Sequence, residues 1–314
     1  MTAEGPKIAI VGAGRVGSTL AYTLAASGVV REIVLIDASS GRAEGEAMDI
    51  AHAVPFYAPV SVVAGNPGDA SGAALTVIAA GAAQREGETR PELVRRNVEV
   101  LREILGEVVS ANPEGLLLMA TNPVDALTFV ALTLSGLPSG RVFGSGTVLD
   151  TARLRAELGA HYGVDARNVH AYVLGEHGDS ELVAWSGATL ANVQLQEYCR
   201  LTGMSCTTRD MEAIASRVRD AAYDVIRRKG ATNFAIAAAL ARIIEAVVRD
   251  QASVLTVSTL VEGHYGISGV CLSLPAVIDR SGVRRVLPIP LSEKEVERLR
   301  LSADAVRSAV SSAL

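Results

Sequence analysis

Cysteine is scarce in this chain, with Cys199, Cys206 and Cys271 the three among 314 residues. None stands at a metal-ligand spacing such as C-x-x-C, and an odd number cannot complete a disulfide framework, so reduced thiols in a cytoplasmic protein with no resident metal are expected. Aromatic residues make up only 4%, which leaves the core to Ala, Val, Leu and Ile. No apolar run reaches the ~18 residues that a membrane helix needs. The opening residues, which include Glu4, Gly5 and Pro6, lack the apolar stretch of a secretion signal. Positive charge is also missing: the formal net charge is −5 and the basic residues are scattered. That pattern has no electrostatic footprint for nucleic acid or an anionic membrane. A small-molecule partner is expected instead.

The residues that are present suit a packed globule, with 49% hydrophobic and 20% charged. A chain of this length exceeds what one core usually fills, so two joined domains are predicted, at residues 1–144 and 145–314. Lys7-Ile8-Ala9-Ile10-Val11 reads as a buried strand, followed by a helical stretch through Leu20 and Leu24 and a second strand at Ile33-Val34-Leu35-Ile36. Further buried strands are predicted at residues 60–64, 75–80, 116–120 and 141–143, separated by segments long enough for crossover helices. The first half is thus expected to be a doubly wound, Rossmann-type parallel sheet of six strands. Beyond Gly144 the texture changes to helices over 151–159, 211–229 and 233–249. Short strands broken by Gly263, Gly266, Gly269 and Gly282 follow, and a capping box at Ser292 and Glu295 opens a terminal helix. A second, α+β domain is the expectation, with a cleft between the two.

Gly12-Ala13-Gly14-Arg15-Val16-Gly17 satisfies G-x-G-x-x-G, a weak signal alone in a chain with 29 glycines. Its context strengthens it: a strand ends at Gly12, a helix begins near Gly14, and Asp37 follows the second strand at ribose-binding distance. Glycines let the backbone approach a pyrophosphate whose charge the helix N-terminus stabilises; a purely structural Gly-rich turn is the rival reading. Asp37 favours NAD over NADP, because a carboxylate accepts hydrogen bonds from a ribose diol and repels a 2′-phosphate.

In the second half, His177 lies in Gly175-Glu176-His177-Gly178-Asp179-Ser180, and upstream stands Asp150-Thr151-Ala152-Arg153. An imidazole, a carboxylate to orient it and a guanidinium suggest acid/base chemistry on an anionic substrate. Beside a dinucleotide motif, they point to hydride transfer.

These motifs occur in order with the segment from Gly81 to Arg90, with Thr121-Asn122-Pro123-Val124-Asp125 and with Gly230-Ala231-Thr232. In that arrangement the chain resembles the L-lactate dehydrogenases of the lactate/malate dehydrogenase superfamily over essentially its full length. The resemblance implies that His177 is the acid/base, that Asp150 fixes its tautomer and that Arg153 grips the substrate carboxylate through a planar fork. It implies that Arg90, on a closing loop, polarises the ketone. Gln84 would read the far end of the substrate: a neutral amide tolerates the methyl of pyruvate, whereas the malate enzymes place Arg there. Asn122 is implied to contact nicotinamide and substrate, and Thr232 and Ile236 to line the pocket. The residues after Thr232, Asn233-Phe234-Ala235, depart from the family's usual aromatic pair or Ser-Trp, which leaves size selectivity open. Arg155 and His170 match positions that bind fructose 1,6-bisphosphate between subunits in allosteric relatives; the same residue types occur in unregulated members, so activation is left open. A homotetramer is implied. The expected reaction is NADH-dependent, reversible reduction of pyruvate to L-lactate. The rivals are a malate or broader 2-hydroxyacid dehydrogenase and a non-catalytic NAD-binding protein.

Overall fold

A computed structural model of the chain describes residues 5–82 and 90–311, with residues 90 and 91 described by their backbone only. The first half alternates strands and helices: β1 (Lys7–Val11), α1 (Arg15–Ser27), β2 (Glu32–Ile36), α2 (Ser40–Ala53), β3 (Ser61–Gly65), β4 (Leu75–Ile78), α3 (Arg90–Ala111), β5 (Leu116–Met119), α4 (Val124–Ser135) and β6 (Val142–Gly144). Every side chain of β4, β5 and β6 is buried, as strands covered by helices on both faces require. The chain continues through α5 (Val148–Tyr162) into short strand pairs, β7 (Val169–His170), β8 (Val173–Leu174), β9 (Leu182–Val183), β10 (Thr189–Leu190) and β11 (Val193–Gln194). It ends with α6 (Leu195–Thr202), α7 (Thr208–Lys229), α8 (Phe234–Val248), β12 (Ser253–His264), β13 (Ile267–Asp279), β14 (Gly282–Val286) and α9 (Glu293–Ser311).

Among the described residues the main sheet has nine strands in the order β14-β13-β12-β6-β5-β4-β1-β2-β3. The six N-terminal strands are parallel, in the doubly wound order predicted. The C-terminal hairpin adds to their edge through an antiparallel contact of β12 with β6, at Ser258 and Gly144, so one sheet runs through both halves of the chain. The predicted short strands over 253–287 differ from the structure: β12 and β13 are 12 and 13 residues long. Gly266 and Gly282 do stand at strand ends, but Gly263 and Gly269 are absorbed as bulges within the strands. Val261 pairs with Val270 and Glu262 with Ser268, leaving Gly269 as the extra residue at φ +69°. Gly263 is the extra residue on the opposite strand in the same way.

One close approach is decisive at the N-terminal end. A Cβ on Gly17 would stand 1.9 Å from the Gly12 carbonyl oxygen, so α1 packs on the end of β1 only because position 17 has no side chain. A Cβ on Gly14 meets nothing within 4 Å, and Gly14 has an ordinary φ of −78°. The two glycines therefore serve different ends, one packing and the other access. Gly17→Ala is expected to cost about 1–3 kcal/mol through overpacking, seen as a lower Tm. Gly14→Ala should keep the wild-type Tm and weaken NADH binding in a fluorescence titration. Equal effects of the two changes on Tm would refute this division.

Candidate active site

Two clefts open along the carboxyl ends of the parallel strands. The first, of about 570 Å³, lies at the switch between β1 and β4 and is bounded by Gly12, Gly14, Asp37 and Arg42 on one side and Glu103 and Glu107 of α3 on the other. Asp37 accepts hydrogen bonds from the N–H groups of Ala13 (2.8 Å) and Ser39 (2.9 Å), which aims its carboxylate at the glycine turn. The open space over Gly14, the N-terminus of α1 and a half-buried carboxylate fit a dinucleotide: the first two accommodate pyrophosphate and the third a ribose diol. Arg15 is exposed and Val16 half-buried at the start of α1; neither is among the described residues that line the cleft.

The second cleft, of about 400 Å³, contains Asn122, Asp150, Arg153, His177 and Glu181, faced by Arg219 and Tyr223 of α7. Asp150, in the first turn of α5, is 1% exposed. One of its oxygens meets His177 Nδ1 at 2.6 Å and the other accepts a hydrogen bond from an Arg153 guanidinium nitrogen at 2.8 Å. The i, i+3 spacing on a helix brings Arg153 to this carboxylate. The loop that carries His177 is fixed from behind: Asp125, in the first turn of α4, accepts the His177 backbone N–H at 2.7 Å and the Ser273 hydroxyl at 3.2 Å. Gly175 and Ser273 bond each other's backbone. Asp125 stood in a quoted motif without a role, and Glu181 in none. The signal for Asp125 is an acid opening the apolar helix α4, whereas Glu181, between Ser180 and Leu182, has no local signal.

Charge follows from this packing. Burial works against an imidazolium, but the Asp150 carboxylate, with Asp125 and Glu181 nearby, outweighs it and lifts His177 to about 9. Asp150 shows the converse: burial would raise it, and His177 and Arg153 hold it below the usual carboxylate range. Asp125 is pushed up to about 6 by burial, against the pull of Ser258 and the His177 N–H. The imidazole is thus a cation at neutral pH, with Nδ1 committed to Asp150 and Nε2 left as the proton-carrying atom toward the cleft.

The remaining predicted residues fall in different places. Gln84 lies outside the described residues, and so does the side chain of Arg90, whose backbone opens α3. Thr232 and Ile236 are half-buried at the start of α8, and neither is among the described residues lining the two clefts. Asn122 lines the second cleft, and its carbonyl accepts a hydrogen bond from Asn97 at 3.2 Å. Arg155 donates to the Ala171 carbonyl at 3.2 Å and lies over the Tyr172 ring, next to the exposed His170. No helix among the described residues is long and apolar enough to cross a membrane.

A dinucleotide cleft adjoining a carboxylate-backed histidine defines an oxidoreductase of the nicotinamide-dependent class. Residues 6–144 match the NAD binding domain of lactate/malate dehydrogenase, and residues 147–314 match the alpha/beta C-terminal domain of the same family. The chain belongs to the lactate/malate dehydrogenase family. It is 49% identical over 304 residues to an L-lactate dehydrogenase of Thermoanaerobacter sp. (strain X514), covering 97% of this chain and 98% of that one. It is 47% identical over 312 residues to an L-lactate dehydrogenase of Moorella thermoacetica, covering 99% and 98%. Among solved structures, a lactate dehydrogenase from a Medee basin deep-sea metagenome library superposes with a TM-score of 0.95 at 42% identity, over 99% of each chain. A minor L-lactate dehydrogenase from Enterococcus mundtii gives 0.95 at 36% identity, also over 99% of each.

Replacing Asp150 by Asn removes the negative charge that overrides burial. The His177 titration is then expected to fall from about 9 toward or below its ordinary 6.5. Imidazole proton resonances followed against pH would read the shift directly. A titration that stays near 9 in Asp150→Asn would disprove this account of the charge.

Proposed function

We propose that the protein is an NAD-dependent L-lactate dehydrogenase that reduces pyruvate reversibly. The observation that carries this reading is the Asp150 carboxylate shared between His177 Nδ1 and Arg153, in a cleft linked to the dinucleotide cleft through Asn97, which bonds Ala82 of one and Asn122 of the other. Gly12, Gly14 and Asp37 would hold the cofactor, with Arg15, Val16, Gly17, Asn122 and Ile236 completing its surroundings by family resemblance. Bound NADH supplies the hydride. His177, cationic at neutral pH, places its Nε2 proton on the nascent alkoxide oxygen and takes it back from the lactate hydroxyl in the reverse direction. Asp150 keeps the tautomer with Nδ1 protonated. Arg153, held through one nitrogen, presents the rest of its fork to the substrate carboxylate. By resemblance Arg90 stabilises negative charge growing on the ketone oxygen, while Gln84 and Thr232 select the side chain. The chain is divided functionally at residues 144 and 145.

The protein is further read as a cytoplasmic homotetramer. Exposed Met48 and Phe56 on and just after α2 favour burial against a second copy, and three free thiols suit a reducing compartment. Arg155, bonded to the carbonyl of Ala171, and the exposed His170 one residue before that alanine support a fructose 1,6-bisphosphate site between subunits.

NADH oxidation measured with pyruvate, oxaloacetate and a branched 2-oxo acid, with and without fructose 1,6-bisphosphate, tests the whole reading. Pyruvate should have the highest kcat/KM, and faster turnover of oxaloacetate would make the protein a malate dehydrogenase. A lower pyruvate KM with the sugar phosphate is expected, and an unchanged one removes the allosteric site. Gln84→Arg is expected to reverse the pyruvate–oxaloacetate order, because an enclosed, unpaired guanidinium costs roughly 3–5 kcal/mol over a methyl group. A variant still preferring pyruvate would exclude Gln84 as the selector.

A further inference from the structure

Glu181 is a carboxyl that the reaction as described does not use. It is only 7% exposed, yet it follows the His177 segment directly and lines the same cleft. Its carboxylate oxygen, an Asp150 oxygen and a His177 ring nitrogen all lie within 4.8 Å of one another. Among the described residues no hydrogen bond or ion pair ends on its side chain, although its backbone is tied at both ends: the N–H to the Gly178 carbonyl at 3.1 Å and the carbonyl to Arg298 of α9 at 3.5 Å. Among the described residues its carboxyl thus meets charged neighbours rather than a hydrogen-bonding partner, and a buried charge is tolerated only where opposite charges stand near it.

We propose that Glu181 is a positioning residue of the acid/base site, whose carboxyl stands close to the imidazole as a second negative partner and extends the pH range over which His177 keeps its proton. The inference rests on the reading of His177 as the proton carrier. The charged groups around Glu181 come from each packed element: Asp150 and Arg153 from α5, His177 from its own loop, Arg219 from α7 and Arg298 from α9, with Asp125 of α4 on the other side of the network through its bond to the His177 N–H. Burial raises the Glu181 carboxyl to about 8, with Asp150 adding to this and His177, Arg153 and Arg219 opposing it. Its own charge in turn raises His177. As pH climbs past neutrality Glu181 ionises, and the new negative charge holds the proton on His177 that would otherwise leave. The imidazolium therefore survives further into alkaline solution than Asp150 alone would allow. The same charge lines the cleft that Arg153 shares, so it would repel a substrate carboxylate held there and the alkaline limit of 2-oxo acid reduction is set jointly by a persistent acid and a growing repulsion.

The test compares wild type with Glu181→Gln, using the His177 imidazole resonance of the full-length protein titrated with pH, alongside kcat/KM for pyruvate from pH 6 to 10. In Glu181→Gln the His177 midpoint is expected to move down by about 0.5–2 units, the effect of one charge ~5 Å away between water-like and protein-like screening. The alkaline limb of kcat/KM should move with it. Glu181→Asp keeps the charge and is expected to restore most of the midpoint. Should Glu181→Gln not fold, Glu181→Ser provides the same comparison. A midpoint and limb that coincide with wild type overturn the proposal, and so does a uniform loss of kcat at every pH with both unmoved, which is the mark of a structural role. Wild type that leaves NADH unoxidised with every 2-oxo acid would overturn the proposed function instead, while the resonance titration still decides Glu181.

Discussion

A buried negative charge at Asp150 is the constraint around which the site is organised. At 1% exposure it has lost nearly all its water, and a carboxylate so placed persists only if protein groups replace that hydration. Two do so, with a guanidinium nitrogen on one oxygen and a ring nitrogen on the other. Coulomb attraction between unit charges at such distances is worth about 4 kcal/mol even with surface-like screening. That is enough to keep an imidazole protonated against its own burial. The charge on His177, the direction of its outward nitrogen and the place of Arg153 thus follow from a single carboxylate. Removing that carboxylate would leave Arg153 without its partner and His177 with no charge strong enough to hold its proton against burial.

Asp150 has support from the fold. It sits in the first turn of α5, as Asp125 sits in the first turn of α4, and at both helix ends free N–H groups and the helix dipole favour an anion. Both helices start where the chain leaves a parallel strand at its carboxyl end, β5 for α4 and β6 for α5. The sheet topology therefore delivers two acids to one rim, of which Asp150 is held charged by its partners while burial raises Asp125. The C-terminal hairpin then adds to the same sheet at Gly144 and Ser258. This registers Ser273 of β13 against both Asp125 and the Gly175 backbone. His177 is thus held at its ring from α5 and at its backbone from α4, by elements on either side of one continuous sheet.

Much of this was legible in the sequence, for physical reasons that can be named. Fully buried parallel strands appear as unbroken apolar runs, and five-residue β1 and β2 were visible at once. The glycine turn and Asp37 have a fixed spacing because a strand–turn–helix unit has a fixed geometry. Asp150, Arg153 and His177 stand out because an imidazole, a carboxylate and a guanidinium beside a dinucleotide motif make a chemical set, to which the family resemblance adds the separate roles. The C-terminal strands were read as short because Gly263 and Gly269 resemble strand ends in one dimension. Whether a positive-φ glycine ends a strand or bulges within it depends on the partner strand's register, which no local pattern contains. Asp125 and Glu181 were missed for a similar reason: their importance lies in what folds against them, from positions 148 residues away in the case of Ser273 and Asp125.

The two walls of the substrate cleft are built to different standards. The wall that carries Asp150, His177 and Asp125 is buried and cross-bonded to β13, whereas the facing helix α7 buries only Ile214 and Val218 among its 22 residues. Tyr223 and Ile226 of α7 are exposed to 58% and 47% while lining the cleft. A hydrogen bond of 2.9 Å from the Tyr223 hydroxyl to Asp179 ties that wall to the loop bearing His177. Local stability follows buried apolar contact, so α7 can shift at far lower cost than α5 or the histidine loop. The groups that hold the proton stand on the stiff wall, while the facing helix reaches them through Tyr223 and Asp179 and through the charge of Arg219 near Glu181.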